Sequence, residues 1–269
     1  MYGALVTPMF VLGFTGLFLG VGLGIASKKF AVEHDPRIEQ IFEYLPKANC
    51  GVCGFPGCFN YAKAIVENGA KPDACRIGGA TVAGRIGEAL GLAINADQTA
   101  VKLLARIYCN GSTSPKSQKG IYEGAETCRS AALVLGGTVK CSYGCLGFGD
   151  CIVTCPFGAI TPREDQPPLI DPEKCTSCGL CVKACPKKLI KLTPRDQQFY
   201  VACSSWAKGK AVKEVCTVGC IACGLCTKKC TSPDAIKLEQ NLSRIDRQHC
   251  QNCGDCIKVC PTGSIQWMK

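Results

Sequence analysis

The 24 cysteines among its 269 residues constrain this chain more than any other feature of its sequence. Such a content leaves a disulfide scaffold, a zinc-rich protein or an iron–sulfur protein as candidate classes. It makes a nucleotide-binding or acid–base enzyme with an ordinary core a poor candidate. The count is divisible by four, so these thiols would complete six sites of four ligands each.

Two runs have the cysteine spacing of bacterial ferredoxins. CTSCGLCVKACP (175–186) and CQNCGDCIKVCP (250–261) both match C-x2-C-x2-C-x3-C-P, in which the fourth cysteine binds the other cluster of a pair. Zinc sites are usually built from paired C-x2-C knuckles, so these runs favour iron–sulfur. Two further runs vary the pattern: CIACGLCTKKC (220–230) displaces its proline to Pro233, and CSYGCLGFGDCIVTCP (141–156) lengthens the earlier spacings.

Internal repetition groups these four runs into two pairs. The third cysteines of paired runs, Cys151 with Cys181 and Cys226 with Cys256, are 30 residues apart in both cases. A two-cluster ferredoxin module requires two halves at such a separation, so we expect two modules. Each half ends in a short apolar segment that predicts a strand: AI at 159–160, LIKL at 189–192, AIKL at 235–238 and SIQW at 264–267.

Exchange of the fourth ligand within each module gives four expected ligand sets. They are Cys141, Cys145, Cys151 and Cys185; Cys155, Cys175, Cys178 and Cys181; Cys220, Cys223, Cys226 and Cys260; and Cys230, Cys250, Cys253 and Cys256. Exchanged ligands hold the two clusters of a module close together, which electron transfer needs and a purely structural site does not.

Eight cysteines lie outside the ferredoxin runs. One group of four comprises Cys50, Cys53, Cys58 and Cys75. The first three lie on a Gly- and Pro-rich loop, ANCGVCGFPGC, and Cys75 lies after the helical stretch that follows this loop. This loop can wrap a compact cluster, although a four-cysteine zinc site is the alternative. The other four, Cys109, Cys128, Cys203 and Cys216, flank the first module symmetrically. They would hold a sixth cluster, with AALVL (131–135) and FYVA (199–202) as pairing strands, unless they are free buried thiols.

The formal net charge of +10 does not indicate a nucleic-acid partner. A [4Fe-4S] core held by four thiolates carries about −2, so six of them would contribute about −12 and offset the basic residues. No nucleic-acid motif, convincing G-x-G-x-x-G or supported Ser/His/Asp arrangement accompanies the cysteines. We expect the chain to move electrons with no catalytic residue of its own.

Residues 1–27 carry no charge, and the apolar run 3–26 is long enough to span a bilayer as a helix. A signal peptide is the alternative, but the run lacks a basic start and exceeds the usual length. Lys28 and Lys29 follow at once and would stay on the cytoplasmic side. The cysteine-rich part would then lie in the reducing cytoplasm, where thiolates bind metal in preference to forming disulfides.

The sequence therefore predicts an α+β chain with one N-terminal transmembrane helix, a small four-cysteine iron–sulfur domain and two tandem 2[4Fe-4S] ferredoxin modules. The expected divisions are an anchor at 1–27, a connector at 28–47, the four-cysteine domain at 48–100, a segment contributing to a bridging cluster at 101–138, the first module at 139–195, a bridging segment at 196–217 and the second module at 218–269.

Two stretches carry a resemblance to a known family. VEHDPRIEQIFEYLPKANCGVCGFPGC (32–58) and CSYGCLGFGDCIVTCPFGAI (141–160), after an uncharged N-terminal span and with tandem ferredoxin runs, resemble the B subunit of the Rnf complex. The length and the two modules resemble its clostridial or thermotogal type.

The resemblance implies a subunit of a membrane ferredoxin:NAD oxidoreductase that couples electron flow to Na⁺ or H⁺ translocation. Such a subunit exchanges electrons with soluble ferredoxin and with the other membrane and peripheral subunits, which carry NAD and flavin. Two alternatives stay open: a polyferredoxin subunit of a hydrogenase or carbon monoxide dehydrogenase, and a membrane-tethered structural zinc adaptor.

Overall fold

The computed structural model describes residues 3–30, 35–92 and 103–267. The expected connector, four-cysteine domain and segment 101–138 each extend partly outside the described residues. In chain order the described helices are α1 (Gly3–Lys29), α2 (Pro36–Tyr44), α3 (Cys58–Asn68), α4 (Gly79–Leu90), α5 (Cys128–Leu133), α6 (Asp150–Val153), α7 (Leu180–Ala184), α8 (Gly209–Val215), α9 (Leu225–Lys229) and α10 (Asp255–Lys258). The strands are β1 (Leu103–Ile107), β2 (Ile160–Arg163), β3 (Gln166–Ile170), β4 (Ile190–Pro194), β5 (Phe199–Val201), β6 (Ile236–Glu239), β7 (Leu242–Ile245) and β8 (Ile265–Trp267).

The large apolar side chains of helix α1 from Met9 onward are exposed. Phe10, Phe14 and Phe18 are 73 to 75% exposed. Its first turn has no acidic residue, whereas Lys28 and Lys29 lie in its last turn. The segment Met9–Lys29 is long and apolar enough to cross a membrane, as the sequence predicts.

Helices α2, α3 and α4 form a small helical domain around one apolar core. Ile38 and Ile41 come from α2, Ile65 from α3 and Ile86 from α4, and all four are buried. The Asp35 carboxylate caps α2 by accepting a hydrogen bond from the Arg37 amide at 2.9 Å. This core fixes one side of the loop that carries the first cysteines.

The two ferredoxin modules repeat one arrangement. In the first, β2 pairs with β3 and β1 pairs with β4, all antiparallel. In the second, β6 pairs with β7 and β5 pairs with β8 in the same way. The four strands predicted at the ends of the half-modules are confirmed as β2, β4, β6 and β8.

A short helix carrying a cysteine precedes each of those four strands. These helices, α6, α7, α9 and α10, all begin after a glycine with positive φ, for example Gly179 at 79°. Glycine adopts this conformation without the steric cost that a Cβ would add. The G-x-C element of each run therefore sets where the helix begins.

The strand predicted at AALVL (131–135) is wrong. Helix α5 runs through Leu133, and the chain then turns at Leu135 and Gly136, whose φ values are both positive. FYVA does form a strand, β5, but its partner is β8. Helix propensity and the Thr127 side chain, which caps α5 by accepting from the Ser130 amide at 3.1 Å, override the apolar pattern.

Candidate metal centres

The first site is built on the loop before α3. The Asn49 side chain accepts a hydrogen bond from the Cys58 amide at 2.8 Å, which fixes the loop to the start of the helix. Gly57, at φ 119°, passes so close that an added Cβ would lie 3.1 Å from Asn49 Oδ1. A larger residue there would displace Cys58, so the glycine is required by this close approach.

Tyr61 positions the segment after α3 that carries Cys75. Its hydroxyl donates to the Lys71 carbonyl at 2.7 Å and accepts from the Ala74 amide at 3.2 Å. Burial raises the pKa of Tyr61 to about 12. Cys53, Cys58 and Cys75 meet at the domain core, and Cys50 lies on the same loop. These four residues are called the N-terminal set.

The next two sets belong to the first module. Cys155, Cys175, Cys178 and Cys181, the first outer set, line one cavity with Ile160 and Ile170. Burial, followed by repulsion from neighbouring thiols, raises the pKa of Cys181 to about 12. A second cavity is lined by Cys128, Cys145, Cys151 and Cys185, which are called the first inner set.

Asp150 explains why Cys128 belongs to the first inner set. One carboxylate oxygen accepts from the Cys128 amide at 2.8 Å, and the other accepts from the Arg129 amide at 3.0 Å. Because Cys151 follows Asp150 directly, this clamp brings Cys128 beside it. The pKa of Cys151 is raised to about 11. Burial is the largest cause, and repulsion from Cys128 is the second.

A third cavity joins the two modules. It is lined by Cys109, Cys141, Cys203 and Cys216, which are called the bridging set; Cys145 lines both this cavity and that of the first inner set. Cys109 follows β1 by two residues and Cys203 follows β5 by two residues, so equivalent strand ends deliver both thiols. Burial raises the pKa of Cys109 to about 11.

These groupings differ from two expected from the spacing. The sequence placed Cys141 with Cys145, Cys151 and Cys185, and Cys128 with the three bridging thiols. In the structure Cys128 and Cys141 exchange places. The physical reason for the position of Cys128 is the Asp150 clamp, which holds the start of α5 against the start of α6.

The second module repeats the pattern with two sets. Cys220, Cys223, Cys226 and Cys260, the second inner set, line one cavity as expected. Cys250, Cys253 and Cys256 are close enough that the first and third act on one another electrostatically, and Cys230 packs against the same core as Cys256. Cys230, Cys250, Cys253 and Cys256 are called the second outer set.

Neighbouring thiols connect the six sets in one line. Burial, with a smaller electrostatic contribution from Cys50, raises the pKa of Cys178, so Cys50 of the N-terminal set is near enough to interact with Cys178 of the first outer set. The two sets of each module adjoin through Cys181 with Cys151 and through Cys226 with Cys256.

The bridging set connects the thiols of the first module with those of the second. The Cys145 amide donates to Cys109 Sγ at 3.4 Å, and the Cys203 thiol accepts from the Cys220 amide. The bridging set therefore lies between the two inner sets.

The number of thiols in each set matches the four ligands of a [4Fe-4S] cluster. All 24 cysteines are free thiols. Among the described residues, no group of three or more His, Cys, Asp or Glu side chains is close enough to hold one metal ion. In four of the six sets the thiols line the walls of one cavity, and four cysteine thiolates are the ligands of a [4Fe-4S] core.

Burial disfavours the charged form of the thiols in these sets. It raises the pKa of Cys75, Cys128 and Cys203 above the usual value for a thiol. A buried thiolate needs positive charge close by, because desolvation penalises its charged form. Iron bound within each cavity would supply that charge.

The sequence patterns did not predict the positioning roles of three residues, Asn49, Tyr61 and Asp150. Asn49 had a local signal, because an Asn before a Gly-rich loop and a helix start is a common cap. Asp150 and Tyr61 act on residues 22 and 10 positions away, and no spacing rule connects them.

Three family models match parts of the chain that carry these cysteines. The FeS family matches residues 45–77, a 4Fe-4S dicluster domain matches 140–189, and a 4Fe-4S binding domain matches 242–265. These three matches cover the N-terminal set and parts of both modules.

Relatives match nearly the whole chain. The B subunit of the Na⁺-translocating ferredoxin:NAD⁺ oxidoreductase complex of Acetobacterium woodii is 44% identical over 98% of this chain and 78% of its own length. The B subunit of the ion-translocating oxidoreductase complex of Methanosarcina acetivorans is 39% identical over 99% of both chains. The B subunit of the proton-translocating ferredoxin:NAD⁺ oxidoreductase complex of Clostridium ljungdahlii is 40% identical over 95% of this chain and 90% of its own length. At this identity and coverage, the chain belongs to the family of Rnf complex B subunits.

Proposed function

We propose that this chain is a membrane-anchored relay of six [4Fe-4S] clusters that exchanges electrons with soluble ferredoxin inside an Rnf-type, ion-translocating ferredoxin:NAD oxidoreductase. Family membership supports its place as an electron-transfer subunit of such a complex. The other Rnf subunits, and not this chain, would bind NAD and flavin.

The observation that carries the proposal is the line of six thiol sets. Each of the 24 cysteines belongs to one set, and each set adjoins the next. When bound, the clusters would supply one-electron redox centres. The chain's own part is to hold those centres in order, to bury the thiols away from water and to bring the two modules together at the bridging set.

The orientation follows from the end of α1. Lys28 and Lys29 would stay on the cytoplasmic side of the membrane, because basic residues flanking a span are retained there. The cysteine-rich domains would then face the cytoplasm, where ferredoxin is soluble and reducing conditions keep thiols available.

Iron analysis and electron uptake test the proposal. The full chain, purified in detergent and reconstituted without oxygen, should contain about 24 iron atoms. It should protect all its cysteines from alkylation and bleach when reduced ferredoxin is added. A colourless zinc protein, or a brown protein that ferredoxin cannot reduce, would contradict it.

A further inference from the structure

An open cleft of about 690 Å³ lies between the two modules. One wall is the segment Pro186–Lys191, which follows the last cysteine of the first inner set, and the other includes Arg244 on β7. Cys203 of the bridging set lines the cleft and also lines the bridging cavity. The cleft therefore reaches the middle of the line of thiol sets.

The lining of the cleft is strongly cationic. It contains Lys187, Lys188, Lys191 and Arg244, and no Asp or Glu is among its described lining residues. Of these four, only Arg244 has a carboxylate within ion-pair distance in the described chain, Glu239 at 3.8 Å. The Lys187 ammonium is held in place by the Gly136 carbonyl at 2.8 Å.

A fifth cation, Arg106, lies behind Tyr108 and Tyr200, two aromatic residues that line the cleft. Arg106 is 1% exposed, and its Nε and Nη1 atoms have no hydrogen-bond partner among the described residues. Its guanidinium lies 5.4 Å from the Tyr200 ring, which meets Tyr108 edge to face. The Lys191 ammonium lies 5.2 Å from the Tyr108 ring. The rings accommodate these cations without neutralising them.

Two exposed aromatic side chains mark the rim. Trp206 is 50% exposed and Tyr143 is 37% exposed, with their rings 6.4 Å apart. The Asn241 side chain donates to the Trp206 carbonyl at 3.1 Å and fixes the Trp206 backbone against the second module. Exposed Trp and Tyr side chains are enriched in protein–protein contacts, and a cationic patch is complementary to an acidic partner.

We propose that this cleft docks the acidic surface of an electron-carrying protein. The inference rests on the proposed function, in which that carrier is a soluble ferredoxin, and adds the place where it binds. Carboxylates of the carrier would pair with Lys188, Lys191 and Arg244 while Trp206 and Tyr143 contact its apolar surface. Each transfer oxidises the carrier by one electron and reduces this chain by one electron, and no atom or proton is exchanged.

Docking here means that electrons enter at the bridging set, between the two modules. Neither end of the line would be the entry point. The position of Cys203 on both the cleft and the bridging cavity is the feature that connects docking with transfer.

Charge reversal on the full, reconstituted chain tests the proposal. The double variant Lys191→Glu with Arg244→Glu changes two exposed cleft residues. The matched control, Lys63→Glu with Arg85→Glu, makes the same charge change on solvent-accessible residues of the helical domain. Stopped-flow bleaching by reduced ferredoxin at low salt should slow at least tenfold in the cleft variant and less than twofold in the control. Added salt should slow the wild type far more than the cleft variant.

Further measurements separate the possible failures. Iron content and photochemical reduction by a small flavin analogue should match in all variants. If the double variant loses iron, the neutral pair Lys188→Gln with Lys191→Gln takes its place, with about a threefold slowing expected.

Uptake from ferredoxin at the wild-type rate in the cleft variants would overturn the docking site and leave the proposed function standing. A wild-type chain that is photoreduced but takes no electrons from ferredoxin would overturn the proposed function itself. ATP that binds the wild type at micromolar concentration, and fails to bind the cleft variant, would make the cleft a nucleotide site and overturn protein docking.

Discussion

At the scale of a single residue, Asp150 decides which thiols face one another. Its carboxylate holds two amides at the start of α5, and hydrogen bonds to a charged acceptor contribute about 1.5–3 kcal/mol. Asp150→Ala should therefore release Cys128 and lower the iron content by up to about four atoms. Asp150→Asn should lose less, because one amide oxygen can still accept.

Iron analysis and alkylation of Cys128 measure this effect. Glu164→Ala removes an exposed carboxylate from the β2–β3 turn and serves as the control. Full iron content and a protected Cys128 in Asp150→Ala would show that the clamp does not position this thiol.

Tyr61 gives a prediction that depends on pH. Burial raises its pKa from 10.0 to about 12, so the folded state favours the neutral phenol. That contribution to stability is complete below pH 10 and is lost as the pH rises toward 12. Tyr61→Phe leaves the Lys71 carbonyl and the Ala74 amide without this partner, at a cost of about 1–3 kcal/mol near neutral pH.

The rate of cluster bleaching in urea measures both effects. Tyr61→Phe should bleach faster than the wild type at pH 8, and the difference should shrink between pH 10 and pH 12. A difference that stays constant across this range would show that ionisation of Tyr61 does not contribute.

The sequence could predict which cysteines share a site only where those cysteines lie close together in the chain. Thiol spacing fixed the expected partners of Cys181 and Cys226, because C-x2-C-x2-C places three thiols on one short loop. Spacing grouped Cys128 and Cys141 differently from the cavities that they line, because Cys128 lies outside every run and Cys141 belongs to a run of irregular spacing. Their positions depend on a carboxylate 22 residues away and on a strand of the other module, which no local pattern encodes.

At the scale of secondary-structure elements, β1 and β5 complete the two modules. Each precedes its module in sequence and pairs with the last strand of that module. Leu104 on β1 is 1% exposed, and truncating a buried leucine costs about 2–5 kcal/mol. Leu104→Ala should therefore destabilise the first module, whereas Leu169→Ala, at a position 52% exposed on β3, should have little effect.

Cluster loss on heating measures this difference between the two leucines. Equal bleaching temperatures for Leu104→Ala and Leu169→Ala would show that β1 is dispensable to the module. The sequence predicted β2, β4, β6 and β8 because each half-module ends in a short apolar segment. It left β1 unassigned because no cysteine run marks where that strand begins.

At the scale of the whole molecule, the order of the thiol sets determines what a single cysteine variant does. Cys141→Ser and Cys216→Ser both affect the bridging set, so each should remove the same four or so irons and interrupt transfer between the modules. Cys128→Ser should instead remove the irons of the first inner set and leave the bridging set intact. Iron content together with the electron paramagnetic resonance spectrum of each reduced variant measures this. If Cys128→Ser and Cys216→Ser lose the same signal while Cys141→Ser loses another, the grouping by sequence spacing is right and the exchange of Cys128 with Cys141 is wrong.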